Sequence, residues 1–122
     1  MRCLLIDKNG DERQEIAGLL QSLGLELEQM ETAPAELSEG QLKKLQFIFV
    51  EASNVETAQN VLERVPRRLD QGLSPKIICY TDTPSVDDMD RYIMAGAVDV
   101  LVKPFDRNLL RFKLEQAGIL TH

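Results

Sequence analysis

Five short apolar runs, near residues 2–7, 25–30, 47–51, 76–81 and 98–102, alternate with stretches whose apolar residues recur at helical spacing. Few architectures suit such a chain. Each run is short enough for a buried strand and is followed by a helix, so the runs are expected to pair in parallel while the helices cover both faces of the sheet. At 122 residues with 43% apolar content, residues 1–122 are expected to form one domain with a real core. The fold class is therefore α/β.

The first helix has Ile16, Leu19, Leu20 and Leu23 on one stripe, Asp11 and Glu12 beside the positive end of its dipole, and Gly24 to close it. The second is expected to start at Thr32 to Pro34 and to bury Leu37, Leu42 and Leu45. The third opens on Ser53-Asn54-Val55-Glu56, a capping-box pattern, carries Val55, Ala58, Leu62 and Val65 on one face, and ends at Pro66. Residues 67–74, bounded by Gly72 and Pro75, suggest a loop. The fourth helix starts at Ser85 with Val86, Met89 and Ile93 facing inward and Gly96 at its end, and Asp106 caps the fifth, whose stripe is Leu110, Leu114 and Ala117.

A net charge of −6 opposes both a phosphate backbone and an anionic membrane surface, so neither nucleic acid nor membrane is expected as a partner. The small basic cluster Arg64, Arg67 and Arg68 reads as a solvated helix end. Cys3 and Cys79 both lie inside apolar runs and lack the paired spacing of a zinc or disulfide framework, which points to a reducing, cytoplasmic setting. No run approaches the ~20 apolar residues that span a bilayer. The one histidine, His122, is the terminal residue, and neither cysteine has an acid–base partner apparent in the sequence, so independent enzymatic turnover is not expected.

Four of the runs end on polar residues of complementary kinds: Asp7, Glu51, Thr81 and Lys103. In open α/β sheets, ligands bind at the carboxyl ends of the strands, and two acids, a hydroxyl and an ammonium would suit a phosphate-handling pocket there. Taken singly, each is also what the first polar residue after a buried strand would look like. Taken together, the order acid, acid, Thr, Lys-Pro argues for a site.

Over essentially its whole length the sequence resembles the receiver domain of bacterial response regulators. The resemblance is carried by Leu4-Leu5-Ile6-Asp7, by the third run ending at Glu51, by Tyr80-Thr81, and above all by Ala95-Gly96-Ala97-Val98-Asp99-Val100-Leu101-Val102-Lys103-Pro104-Phe105. It implies a flavodoxin-like (βα)5 fold with a five-stranded parallel sheet in the order 2-1-3-4-5, and it favours a cis bond between Lys103 and Pro104. It also implies a role in two-component (phosphorelay) signalling. In such domains a kinase phosphorylates an aspartate at the end of the third strand, acids after the first strand hold Mg²⁺, and the hydroxyl and lysine contact the phosphoryl group.

Carried over residue by residue, the match is partial. Asp7 matches the first acid, Thr81 the hydroxyl and Lys103 the lysine, but Lys8 stands where a second acid belongs and Glu51 stands at the phosphoacceptor. Lys8 puts a positive charge beside a metal that needs oxygen ligands, leaving Asp7 as the one matched ligand of a weakened Mg²⁺ site. Glu51 is one bond, ~1.5 Å, longer than aspartate, a displacement that in-line transfer tolerates badly. Val100 stands where many receivers carry the aromatic that turns inward on activation, and Asp82 adds an acid at the mouth, either a further cation ligand or an exposed loop residue.

The leading expectation is a pseudo-receiver that acts by binding a protein partner, such as a kinase, regulator or other effector, with no cofactor, its pocket filled by a salt bridge from Glu51 to Lys103 or Lys8. The partner face is expected on the fourth helix, fifth strand and fifth helix, with Tyr92 and Phe112 as candidate exposed aromatics there, or equally as helix-packing residues. The alternative is a working Mg²⁺-dependent phosphoacceptor using Asp7 and Asp82. A small-ligand sensor ranks behind both, because no glycine-rich phosphate loop follows the first strand.

Overall fold

A computed structural model describes residues 2–32, 38–65, 68–69 and 72–121. Pro34, Leu37, Pro66, Arg67 and His122 lie outside them, as does the side chain of Val55. The elements in chain order are β1 (Arg2–Ile6), α1 (Gly10–Ser22), β2 (Glu26–Met30), α2 (Glu39–Lys44), β3 (Phe47–Glu51), α3 (Val55–Arg64), β4 (Arg68–Leu69), β5 (Gly72–Leu73), β6 (Lys76–Thr81), α4 (Val86–Met94), β7 (Asp99–Val102) and α5 (Arg107–Gln116). The main sheet is parallel throughout, in the order β2-β1-β3-β6-β7, which is the expected 2-1-3-4-5 with the small β4-β5 ladder set aside.

Strand alternation divides the core. Cys3, Leu5, Phe47, Phe49, Ile78 and Tyr80 point to one face, where Ile16 and Leu20 of α1 and Leu110 and Leu114 of α5 cover them. Leu4, Ile6, Ile48, Val50 and Cys79 point to the other, beneath Leu42 of α2, Ala58 and Leu62 of α3, and Tyr92 of α4. Each fully buried Leu, Ile or Phe side chain contributes roughly 1.5–3 kcal/mol of hydrophobic stabilisation. Burial on both faces explains why the central runs are continuously apolar.

The helix termini follow local chemistry. Asn9 caps α1 by accepting from the Glu12 amide, Ser85 caps α4 and Asp106 caps α5. Gly24 adopts φ +89°, the left-handed conformation that lets the chain reverse into β2. The Lys103–Pro104 bond is cis, as the resemblance implied.

Several expectations are corrected. Within the described residues the second helix is capped by Ser38, whose side chain forms a full capping box with Gln41; of the expected start at Thr32 to Pro34, residues 33 and 34 lie outside them. Asn54, not Ser53, caps α3, accepting from the Glu56 and Thr57 amides, while the Ser53 hydroxyl is engaged with Glu51. Residues 67–74 include the antiparallel β4-β5 ladder, where a loop was expected. On α4 the inward stripe is rotated: Val86 and Ile93 are exposed at 74% and 48%, whereas Tyr92 is buried at 1%. Tyr92 wins because its large ring fills the core while its hydroxyl donates to the Ala52 carbonyl at 2.8 Å, so no polar atom is stranded. Of the two readings of Tyr92, helix packing therefore holds and the exposed aromatic of the partner face does not.

Both thiols are buried, one on each face. Burial pushes Cys79 up to about 12 and raises Cys3 as well. A raised folded pKa means the native state keeps a proton that the unfolded chain releases, so these groups subtract stability as pH rises from 9.0 towards 12 for Cys79. Ellman's reagent at pH 8 is expected to label neither thiol except at the rate of unfolding. Prompt stoichiometric labelling would contradict this burial. Among the described residues, no helix is long and apolar enough to cross a membrane.

Candidate functional site

The parallel register brings the strand ends together. Ile6 pairs with Val50, Glu51 with Tyr80, and Thr81 with Val102, so Asp7, Glu51, Thr81 and Lys103 share the carboxyl edge of the sheet. The Asp7 amide donates to the Met30 carbonyl, and the Lys103 amide donates to the Thr81 carbonyl at 2.8 Å. Thr81 is buried.

Asp7 is 1% exposed, yet neither of its carboxylate oxygens lacks a donor. The Asn9 amide donates to Oδ1 at 2.9 Å, and the Tyr80 hydroxyl donates to Oδ2 at 2.5 Å. The Arg13 guanidinium donates to the Asp7 carbonyl at 2.8 Å. These contacts anchor the start of α1 on the sheet edge, and its first turn then carries Glu12 over the site. Glu12 accepts from the Lys103 ammonium at 2.7 Å, and Asp82 lies 3.7 Å from the same ammonium. The expected salt bridge from Glu51 to Lys103 or Lys8 is therefore replaced: Lys103 belongs to Glu12 and Asp82, and Lys8 is exposed. Glu51 instead turns back on its own loop, accepting from the Ser53 amide and, at 2.7 Å, from the Ser53 hydroxyl.

Asn9 and Arg13 were not named from the sequence, and Glu12, Ser53 and Tyr80 were named there without a role at this site. Glu12 reads as a helix-dipole acid and Ser53 as a cap. A tyrosine inside a buried strand is the one usable signal, since its hydroxyl must find a partner. Of the other candidates, Asp82 is exposed at the mouth, Val100 is buried on β7, and Phe112 is 55% exposed on α5.

Burial and charge together set the pKa shifts at the site. One oxygen each of Asp7, Glu12 and Glu51 lies within 4.8 Å of the others, so three carboxylates crowd one ammonium. Burial and the neighbouring Asp7 raise the Glu12 pKa despite Lys103. Burial alone would pull Lys103 down, but its bond to Glu12 and the charges of Glu51, Glu12 and Asp82 hold it above its ordinary value. Burial and then Asp7 hold the Tyr80 phenol far above the usual tyrosine range, so it remains a donor. Its ring also lies beneath Lys103, with the ammonium 5.8 Å from the centroid.

No protein-family profile matches the sequence, and no curated protein does. Solved structures do match. The signal receiver domain of a DNA-binding response regulator from Colwellia psychrerythraea superposes with a TM-score of 0.75 at 17% identity, covering 98% of this chain and 99% of that one. A two-component response regulator from Clostridium difficile gives 0.73 at 20% identity over 95% and 93% of the two chains. HP1043, an orphan response regulator of H. pylori, gives 0.68 at 22% identity over 98% and 97%. The chain has the fold of response-regulator receiver domains.

The Mg²⁺ that this fold family implies does not fit the site as it is built. Three carboxylates are the right donor type for a hard cation. Here, however, Asp7 is held by Asn9 and Tyr80, Glu51 by Ser53, and Glu12 by an ammonium that a second cation would have to displace.

Proposed function

We propose that this chain is a cytoplasmic receiver domain of two-component signalling that works by binding a protein partner, without phosphoryl transfer to Glu51 and without turnover of its own. The observation that carries this reading is the closed set of contacts at the strand ends. Glu51 is bonded to Ser53, and Lys103, the group that would meet a phosphoryl oxygen, is occupied by Glu12. A carboxylate also brings about one negative charge where a phosphoryl group brings nearly two, which favours a fixed conformation over a faithful mimic of the phosphorylated state.

Two further features support a fixed conformation. Val100 has no ring to turn inward, and Tyr92 already ties α4 to the residue after Glu51 through the Ala52 carbonyl. The partner face is assigned to α4, β7 and α5, where Met94, Val102, Leu109 and Phe112, with Val98 in the turn before β7, are exposed apolar side chains. The partner is a signalling protein. Titration with Mg²⁺ through the millimolar range is expected to leave the amide resonances of Asp7, Lys8, Ser53 and Lys103 unmoved. Saturable shifts there would favour a working phosphoacceptor.

A further inference from the structure

Tyr80 is the residue of β6 in register with Glu51, and its side chain lies on the α1–α5 side of the sheet. Phe49 packs against it at 4.4 Å between centroids, and Phe105 meets it edge-on at 6.0 Å. The residue is wholly buried, so its hydroxyl can be satisfied only from within, and the partner it finds is Asp7 Oδ2. The same ring lies under Lys103. One side chain thus bonds the buried carboxylate and lies within cation–π range of the ammonium.

We propose that Tyr80 is the positioning residue that keeps this carboxylate cluster closed to divalent cations, its hydroxyl holding Oδ2 of the buried Asp7. The inference rests on the metal-free reading above and names the group responsible for it. The contacts that close Glu51 and Glu12 are replaceable: Ser53 is exposed and the Lys103–Glu12 pair is reached by solvent, so water can exchange for each donor as a cation enters. On Asp7 the Asn9 amide holds Oδ1 and the Tyr80 hydroxyl holds Oδ2. Asp7, at 1% exposure, is the most buried of the three carboxylates, and its Oδ2 takes its donor from a side chain that is itself wholly buried. Departures at Lys8 and Glu51 alone therefore do not account for closure.

Tyr80→Phe keeps the ring and its packing and removes only the donor. Mn²⁺ is the probe, followed by paramagnetic broadening at Asp7, Asn9 and Lys103 and by calorimetry, with Lys8→Ala as the comparison. The wild-type protein is expected to show no saturable binding in the millimolar range. Tyr80→Phe is expected to bind at least about tenfold more tightly, equivalent to about 1.4 kcal/mol, with Lys8→Ala gaining less. Adding Asp7→Asn to Tyr80→Phe is expected to abolish the gain, which a general loosening of the core would not do. If Phe gives a non-native amide spectrum, Tyr80→Met, which also lacks the hydroxyl and adapts to the cavity, takes its place. A silent wild type with an equally silent Tyr80→Phe overturns the role of Tyr80 and leaves the metal-free reading standing. A wild type that binds while Tyr80→Phe binds tighter overturns the metal-free reading and keeps the role of Tyr80.

Discussion

Phe49→Ala is expected to lower the unfolding free energy by about 3–5 kcal/mol, read as a fall in the urea midpoint at unchanged slope. Phe49 sits at the centre of β3 with no exposed surface. Its ring lies 5.4 Å from Phe47, 4.4 Å from Tyr80 and 5.9 Å from Phe105, so truncation removes a shared neighbour of three aromatic rings and leaves a void walled by strands that cannot close up. Against the 5–15 kcal/mol typical of a domain this is a large fraction of the total. Because Phe49 also buttresses Tyr80, the substitution should loosen the Tyr80–Asp7 bond along with the core. A loss below about 1 kcal/mol would mean that the aromatic cluster does not hold the sheet to α5 as described.

Lys103→Met is expected to cost about 1–3 kcal/mol at pH 7 and less as the pH falls towards 4.5. Methionine keeps an unbranched side chain and removes the one ammonium among Asp7, Glu12, Glu51 and Asp82. Glu12, already raised by burial and by Asp7, then loses the lysine that pulls its pKa down, so it rises further above 4.5. A carboxyl whose folded pKa is raised binds its proton more tightly in the native state. Stability therefore falls as pH rises through the window above 4.5 and is recovered as pH falls back through it. The comparison is a pair of denaturation curves for wild type and variant at pH 7 and 4.5. Equal deficits at both pH values would remove Glu12 from the account.

Much of the fold could be read from the chain because its strands are buried on both faces and its helices carry clear caps. The alternation of runs gave the parallel sheet, and the Ala95 to Phe105 segment, through the receiver resemblance, gave the strand order and the cis bond at Pro104. The strand ends Asp7, Glu51, Thr81 and Lys103 were legible for the same reason: each is the first polar residue beyond an apolar run. What pairs with what was not. Glu12 reaches Lys103 only because Asn9 and Asp7 fix the direction in which α1 leaves the sheet, a tertiary fact with no trace in local spacing. Ser53 and Asn54 are both competent caps, and the choice between them depends on whether Glu51 needs a donor. On α4, Tyr92 and Ile93 differ by one residue and about 100° of rotation, so periodicity over a nine-residue helix could not say which would be buried.

The central claim is that the signal does not pass through phosphate at Glu51. Its most direct test is the intact mass of the protein after incubation with acetyl phosphate and Mg²⁺, taken beside Glu51→Gln. The expected result is an unchanged mass for both. A stable phosphoryl adduct on the wild-type protein that is absent from Glu51→Gln would contradict it.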